Sequence, residues 1–216
     1  MAPPSISLGD LEIDVAVARI VEALRGGGVV LLPTDTVYGL AAIPGDRVAT
    51  EQLFALKGRT AETPLAVLCA EVGQAAELAD PSVGPVLAAV GDRWWPGPLT
   101  LVVPRRAGLG LHLGEPDSTI GLRVPDHAVV RRVAAVVGPV AATSANRHGQ
   151  PTPSNAADAA GMLGPGLALV VDGGELTASA STVIDATGDP WTILREGPVP
   201  AAEIVAAAHA WSHGDR

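Results

Sequence analysis

Gly26-Gly27-Gly28-Val29-Val30-Leu31-Leu32-Pro33-Thr34-Asp35-Thr36-Val37-Tyr38-Gly39-Leu40 contains a helix stop, a buried strand and a hydroxyl-rich loop in direct succession. The glycines end a helix predicted over Asp10 to Arg25, on which Ile13, Val17, Ile20, Val21 and Leu24 share one face. Val29 to Leu32 is a short, wholly apolar run, the pattern of a strand covered on both faces. Such strands belong to sheets flanked by helices, so this stretch points to an α/β fold.

The same alternation continues outward. Arg47 to Leu56 reads as a helix running into Lys57, Leu65 to Ala70 as a strand, and Pro85 to Trp95 as a helix ended by Pro96-Gly97-Pro98. Leu99 to Val103 and Ile120 to Val124 are strands, followed by a helix from Asp126, read as its cap, to Val137. Val140 to Thr143 is a strand that empties into Ser144-Ala145-Asn146. Ser154 is read as the cap of a helix to Leu163, and Leu167 to Val171 as another strand. Thr182 to Ile184 and Trp191 to Leu194 flank Thr187-Gly188-Asp189-Pro190 as a hairpin, and an alanine-rich helix starts near Pro200. Interleaved strands and helices with one late hairpin predict a single domain with a mixed sheet between helices.

Composition narrows the function classes. With 216 residues the chain can bury one substantial core, and its 48% hydrophobic content is largely alanine and valine. Charged residues interrupt every apolar run before membrane-spanning length, and no secretory signal is visible at the N-terminus. Cys69 stands alone, which excludes an internal disulfide and fits a reducing cytoplasm. The net charge of −9 argues against a surface that grips nucleic acid broadly, so anion binding must be local.

Among 14 lysines and arginines, Lys57 is the sole lysine. An ammonium is a compact point charge where guanidinium is a planar fork, so the exception suits a place deep against phosphate oxygens. Polar clusters are read as falling just after strands, where α/β sheets put ligands. They are Thr34 to Thr36, Lys57-Gly58-Arg59, Thr119 with Arg123, and Ser144-Ala145-Asn146; Ser181 with Arg195 lies on the late hairpin. Cations, forks and short hydroxyl or amide groups are the vocabulary for a polyphosphate and a carboxylate. Taken singly, each has a structural alternative as a cap, a turn residue or an ion pair.

Other signatures are missing. No P-loop sequence occurs, and Gly108 to Gly114 has the wrong spacing for a dinucleotide motif. His209 and His213 share a helical face but lack a third metal ligand. Trp94-Trp95-Pro96-Gly97-Pro98 reads as packed aromatics or a binding rim.

Pro33 to Leu40, Lys57-Gly58-Arg59, Pro96 to Thr100, Arg123 to His127, Ser144-Ala145-Asn146 with Gly149-Gln150-Pro151, Ser181-Thr182-Val183 and Ile193-Leu194-Arg195 occur in an order that resembles the YrdC-like family. These are the threonylcarbamoyl-AMP synthases of tRNA modification. The resemblance covers residues 10–205, with 1–9 and 206–216 as terminal extensions, and is to the short form without an extra C-terminal domain. It implies a twisted mixed sheet with a deep, positively charged cleft. The implied reaction makes threonylcarbamoyl-adenylate and pyrophosphate from L-threonine, bicarbonate and ATP in the cytoplasm. Other proteins then transfer the group to tRNA.

By the same resemblance Lys57, Arg59, Ser144 and Asn146 form the signature tetrad at the ATP phosphates. Thr63, Thr119, Thr152 and Arg195 fall at further nucleotide contacts, and Thr36, Arg123, Ala142 and Ser181 where threonine is held. Mg²⁺ is implied on the nucleotide phosphates rather than in a protein site. The chain departs from the pattern at Thr63, where some members carry Asn, and at Leu68, where some carry His. Two alternatives remain at this level. One is a related carbamoyl-adenylate activity, as in hydrogenase maturation; the other is a non-catalytic RNA-binding module, disfavoured by charge and few aromatics.

Overall fold

The computed structural model describes residues 2–213, with side chains described through residue 208. In chain order the elements are β1 (Ser5–Ser7), α1 (Ile13–Arg25), β2 (Val29–Leu32), β3 (Gly39–Ala42), α2 (Arg47–Lys57) and β4 (Ala66–Leu68). There follow α3 (Val72–Leu78), α4 (Gly84–Trp94), β5 (Leu99–Pro104), β6 (Thr119–Arg123), α5 (Ala128–Val137) and β7 (Val140–Ser144). The chain continues with α6 (Ala156–Leu163), β8 (Leu167–Asp172), β9 (Thr182–Asp185), β10 (Thr192–Arg195) and α7 (Ala201–His213).

All ten strands join one mixed sheet in the order β1-β8-β2-β3-β7-β4-β6-β5-β9-β10. The pattern within β2 sets its two faces. Val29 and Leu31 point into a large core with α2, α3, α4, α6 and α7, while Val30 and Leu32 point into a smaller one with α1 and α5. Helices therefore cover both sides of this strand, which is why it reads as an unbroken apolar run. β9 and β10 pair antiparallel as the late hairpin.

Several local expectations are corrected. Helix α1 starts at Ile13, not Asp10, and Ile13 itself is 44% exposed; the buried stripe is Ala16, Val17, Ile20, Val21 and Leu24. Asp126 does not cap α5, because His127 holds the extended cap position and makes no side-chain cap bond. Ser154 is one residue too early: Asn155 caps α6 by accepting from the Asp158 amide. Lys57 is the last residue of α2, so its cluster follows a helix rather than a strand. β3, α3 and β1 add elements that the sequence reading lacked, and β1 lies in the segment placed ahead of the domain. Trp95 is buried and its indole donates to the Leu99 carbonyl, so it is a packed aromatic. Cys69 is buried just past β4, and burial pushes its thiol up to about 12. The side chains of His209 and His213 lie outside the described residues.

Candidate active site

Strand alternation builds a cavity on the face that carries α1 and α5. In β5, Leu99, Leu101 and Val103 enter the large core, so Thr100 and Val102 face the other way. In β6, Ile120 and Leu122 do the same, leaving Thr119, Gly121 and Arg123 opposite. Among the described residues no helix lines this face, and with the loop after β2 these residues bound a cavity of about 330 Å³.

At one end, Arg123 is 5% exposed and its guanidinium is tied on three sides. Nε donates to the Gly97 carbonyl at 3.0 Å, Nη1 to Thr36 Oγ1 at 3.0 Å and Nη2 to Asp35 Oδ1 at 2.5 Å. Burial pulls Arg123 below its ordinary value, with Asp35 opposing. Thr36 is in turn hydrogen-bonded to Thr34, which turns the loop by accepting from the Thr36 and Val37 amides. Asp35 Oδ2 and His127 Nδ1 are buried without hydrogen-bond partners. Burial holds His127 below its usual range, against the pull of Asp35 and Asp126. Across the cavity, Arg195 donates to the Ser181 carbonyl and hydroxyl at 2.8 and 3.0 Å, and Ser181 also bonds Thr100.

The other end is organised by the end of α2. Gly58 adopts a left-handed conformation with φ 63°, which stops the helix and separates the paths of Lys57 and Arg59. Lys57 turns inward and is 4% exposed. Its ammonium donates to Ser144 O at 2.7 Å, Ser144 Oγ at 2.9 Å and Asn146 Oδ1 at 2.6 Å. Three acceptors favour the charged form. Burial, then Arg59 and Arg195, push the other way and pull Lys57 down to about 7. Arg59 lies over the Phe54 ring at 5.7 Å, with its Nε buried and unpartnered.

The expected site residues divide into two sets. Arg59, Thr63, Thr119, Ser144 and Arg195 line the cavity, as do Thr36, Arg123, Ala142 and Ser181. Lys57, Asn146 and Thr152 are not in its wall. They form a hydrogen-bonded cluster behind Ser144, in which Thr152 donates to Asn146 Oδ1 at 3.1 Å. Sequence reasoning gave Thr100, Gly121 and Asp35 no individual site role, although Asp35 lies in the Thr34 to Thr36 cluster and Thr100 closes the Pro96 to Thr100 motif. A threonine and a glycine interrupting apolar strands were signals, but the role of Asp35 was hidden because its partner is 88 residues away. Three guanidinium groups and no carboxylate line the cavity among the described residues. No group of three His, Cys, Asp or Glu suited to a metal ion occurs among them either.

The Sua5/YciO/YrdC family, described as "Telomere recombination", matches residues 22–197. A protein of Mycobacterium leprae (strain TN), provisionally named a threonylcarbamoyl-AMP synthase, is 38% identical over 193 residues, covering 87% of this chain and 86% of that one. The threonylcarbamoyl-AMP synthase of Pyrococcus abyssi (strain GE5 / Orsay) is 37% identical over 185 residues, covering 84% of this chain and 54% of that one. The crystal structure of P. abyssi Sua5 complexed with L-threonine superposes with a TM-score of 0.80 at 32% identity, over 99% of this chain and 61% of that one.

Proposed function

Because the chain belongs to the Sua5/YciO/YrdC family, we propose that it is a threonylcarbamoyl-AMP synthase, making the adenylate and pyrophosphate from L-threonine, bicarbonate and ATP. The observation that carries this reading is the convergence of Arg59, Arg123 and Arg195 on a cavity without a carboxylate in its wall. Such a cavity suits a polyanion at one end and an amino-acid carboxylate at the other.

In the proposed reaction, threonine gives up an ammonium proton and its nitrogen attacks the bicarbonate carbon, releasing water and leaving a carbamate. A carbamate oxygen then attacks the α-phosphorus as the bond to pyrophosphate breaks. Charge grows on the phosphoryl oxygens, so fixed positive groups lower the barrier without a covalent enzyme intermediate. Arg59, Arg195 and Ser144 hold phosphate oxygens in this reading, with Lys57 and Asn146 fixing Ser144 from behind. Thr63, Thr119 and Thr152 serve the nucleotide end, directly or through Asn146. Arg123, Thr36, Ala142 and Ser181 hold threonine.

Mg²⁺ would be held by the ATP phosphates and would neutralise part of their charge; the cavity wall offers no carboxylate to hold it. The product serves tRNA modification through separate transfer proteins. We place the reaction in the cytoplasm, where a lone buried thiol stays reduced.

Mass spectrometry of the nucleotide formed from ATP, threonine and ¹³C-bicarbonate tests the proposal. The expected product is threonylcarbamoyl-AMP with one labelled carbon. Turnover that ignores threonine would instead support carbamoyl-adenylate chemistry. Tight RNA binding with no adenylate would support the non-catalytic module.

A further inference from the structure

Arg123 is held in the cavity wall by a group outside it. A guanidinium carries five N–H donors. Three are committed, to Gly97, Thr36 and Asp35, so each terminal nitrogen retains one. Those two N–H groups are the donors Arg123 has left for an anion.

The neighbouring hydroxyls are polarised by the same chain. Thr34 gives its only hydroxyl proton to the Val37 carbonyl at 2.7 Å and spends both lone pairs on the Thr36 and Val37 amides, so it cannot claim the Thr36 hydroxyl proton across their 3.0 Å contact. Thr36 accepts from Arg123, which spends one lone pair and leaves the other lone pair and the hydroxyl proton for a ligand. Arg123 is set to receive an anion, with the Thr36 hydroxyl beside it.

Asp35 stands behind this arrangement. Its side chain is 12% exposed, it is absent from the cavity wall, and Oδ2 is buried with no partner. A buried ion pair adds little net stability over apolar residues of like size, and an unpaired carboxylate oxygen costs more. Stability alone does not account for it.

We propose that Asp35 is a positioning residue for the amino-acid end of the cavity: anchoring Arg123 through Nη2, it holds the guanidinium so that its uncommitted N–H groups and the Thr36 hydroxyl beside them meet the substrate carboxylate. Asp35 acts through Arg123 and touches no substrate. This rests on the threonine reading above.

Pyrophosphate release, with threonine and ATP varied separately, tests it in wild type, Asp35→Asn and Asp35→Glu. Asp35→Asn keeps the shape and removes the charge. Its KM for threonine, measured on the folded enzyme, is expected to rise about tenfold or more, with KM for ATP within about twofold. Asp35→Glu is expected to recover part of the loss. A threonine-dependent wild type beside an unchanged Asp35→Asn overturns this inference alone. A wild type indifferent to threonine overturns the functional reading and this inference with it. Joint loss of ATP and threonine binding in both variants assigns Asp35 to the fold, and the inference falls.

Discussion

Over β8, β2, β3 and β7, one face of the sheet lies beneath α1 and α5 and presents Val30, Ala41, Val140, Leu169 and Val171. Over β6, β5 and β9 the same face lies open, and its positions hold Thr100, Gly121, Arg123 and Val183. Leu32, Leu68 and Ala142 belong to both regions, packing against the small core while lining the cavity. The back of the sheet is apolar under both halves, since Leu101, Leu122 and Ile184 share a core with Val29 and Leu31. One layer of helices on that side secures the fold, so the uncovered half is free to carry polar groups that a covering helix would leave unsatisfied. The covered half supplies stability and the open half supplies chemistry.

The sharpest way to break this contrast is at Lys57, which stabilises the open half from behind. Lys57→Ala removes three hydrogen bonds from Ser144 and Asn146 in a buried place. Adenylate formation is expected to fall by at least about 100-fold, as when one preorganised donor is lost from a reaction centre. Lys57→Arg is expected to fail to restore it, because a planar fork cannot reach three acceptors grouped around a point. Wild-type turnover in Lys57→Arg would refute the argument for this lone lysine.

A paired substitution sharpens the contrast further. Gly121→Val adds methyls above the open half, where a Cβ meets Thr100 Cγ2 at 3.5 Å and Ala66 no closer than 3.8 Å. The added bulk enters the cavity, so activity is expected to drop about tenfold with little change in melting temperature. Leu24→Ala, on the covered side, should do the reverse. It is expected to cost roughly 2–5 kcal/mol of stability in denaturant melts while activity per folded molecule holds. Equal effects of both variants on melting and turnover would erase the distinction between the halves.

The covered half was the more legible in sequence. Buried strands such as β2 and β8 and the α1 stripe announce themselves by apolar runs and helical spacing, because burial on a fixed period leaves a local trace. β3 did not, since Gly39-Leu40-Ala41-Ala42 is too short and small to separate from the loop before it. The caps at His127 and Asn155 shifted by one residue because backbone dihedrals decide them. In the open half, the signature residues showed as separate polar clusters, each with a structural alternative, and gained weight only as an ordered set of motifs. Their division into a cavity wall and a cluster behind it depends on contacts such as Lys57 to Asn146, 89 residues apart. No local pattern encodes that.

The smallest effect is a proton, and its sign follows from the geometry at Lys57. An ordinary lysine titrates at 10.5; burial, Arg59 and Arg195 bring this one to about 7. At pH 8 much of it is therefore the amine. A polyphosphate placed among these groups favours the ammonium and raises the value again, so binding ATP at pH 8 must take up protons, up to about one. At pH 6 the site is already charged and uptake should be small. The same linkage makes ATP affinity fall as pH rises through 7, since protonation must then accompany binding. Titration calorimetry in two buffers of different ionisation enthalpy measures the uptake directly, with Lys57→Ala as the control in which it should vanish. Equal uptake in wild type and Lys57→Ala at pH 8 would locate the proton elsewhere and uncouple the buried Lys57 from nucleotide binding.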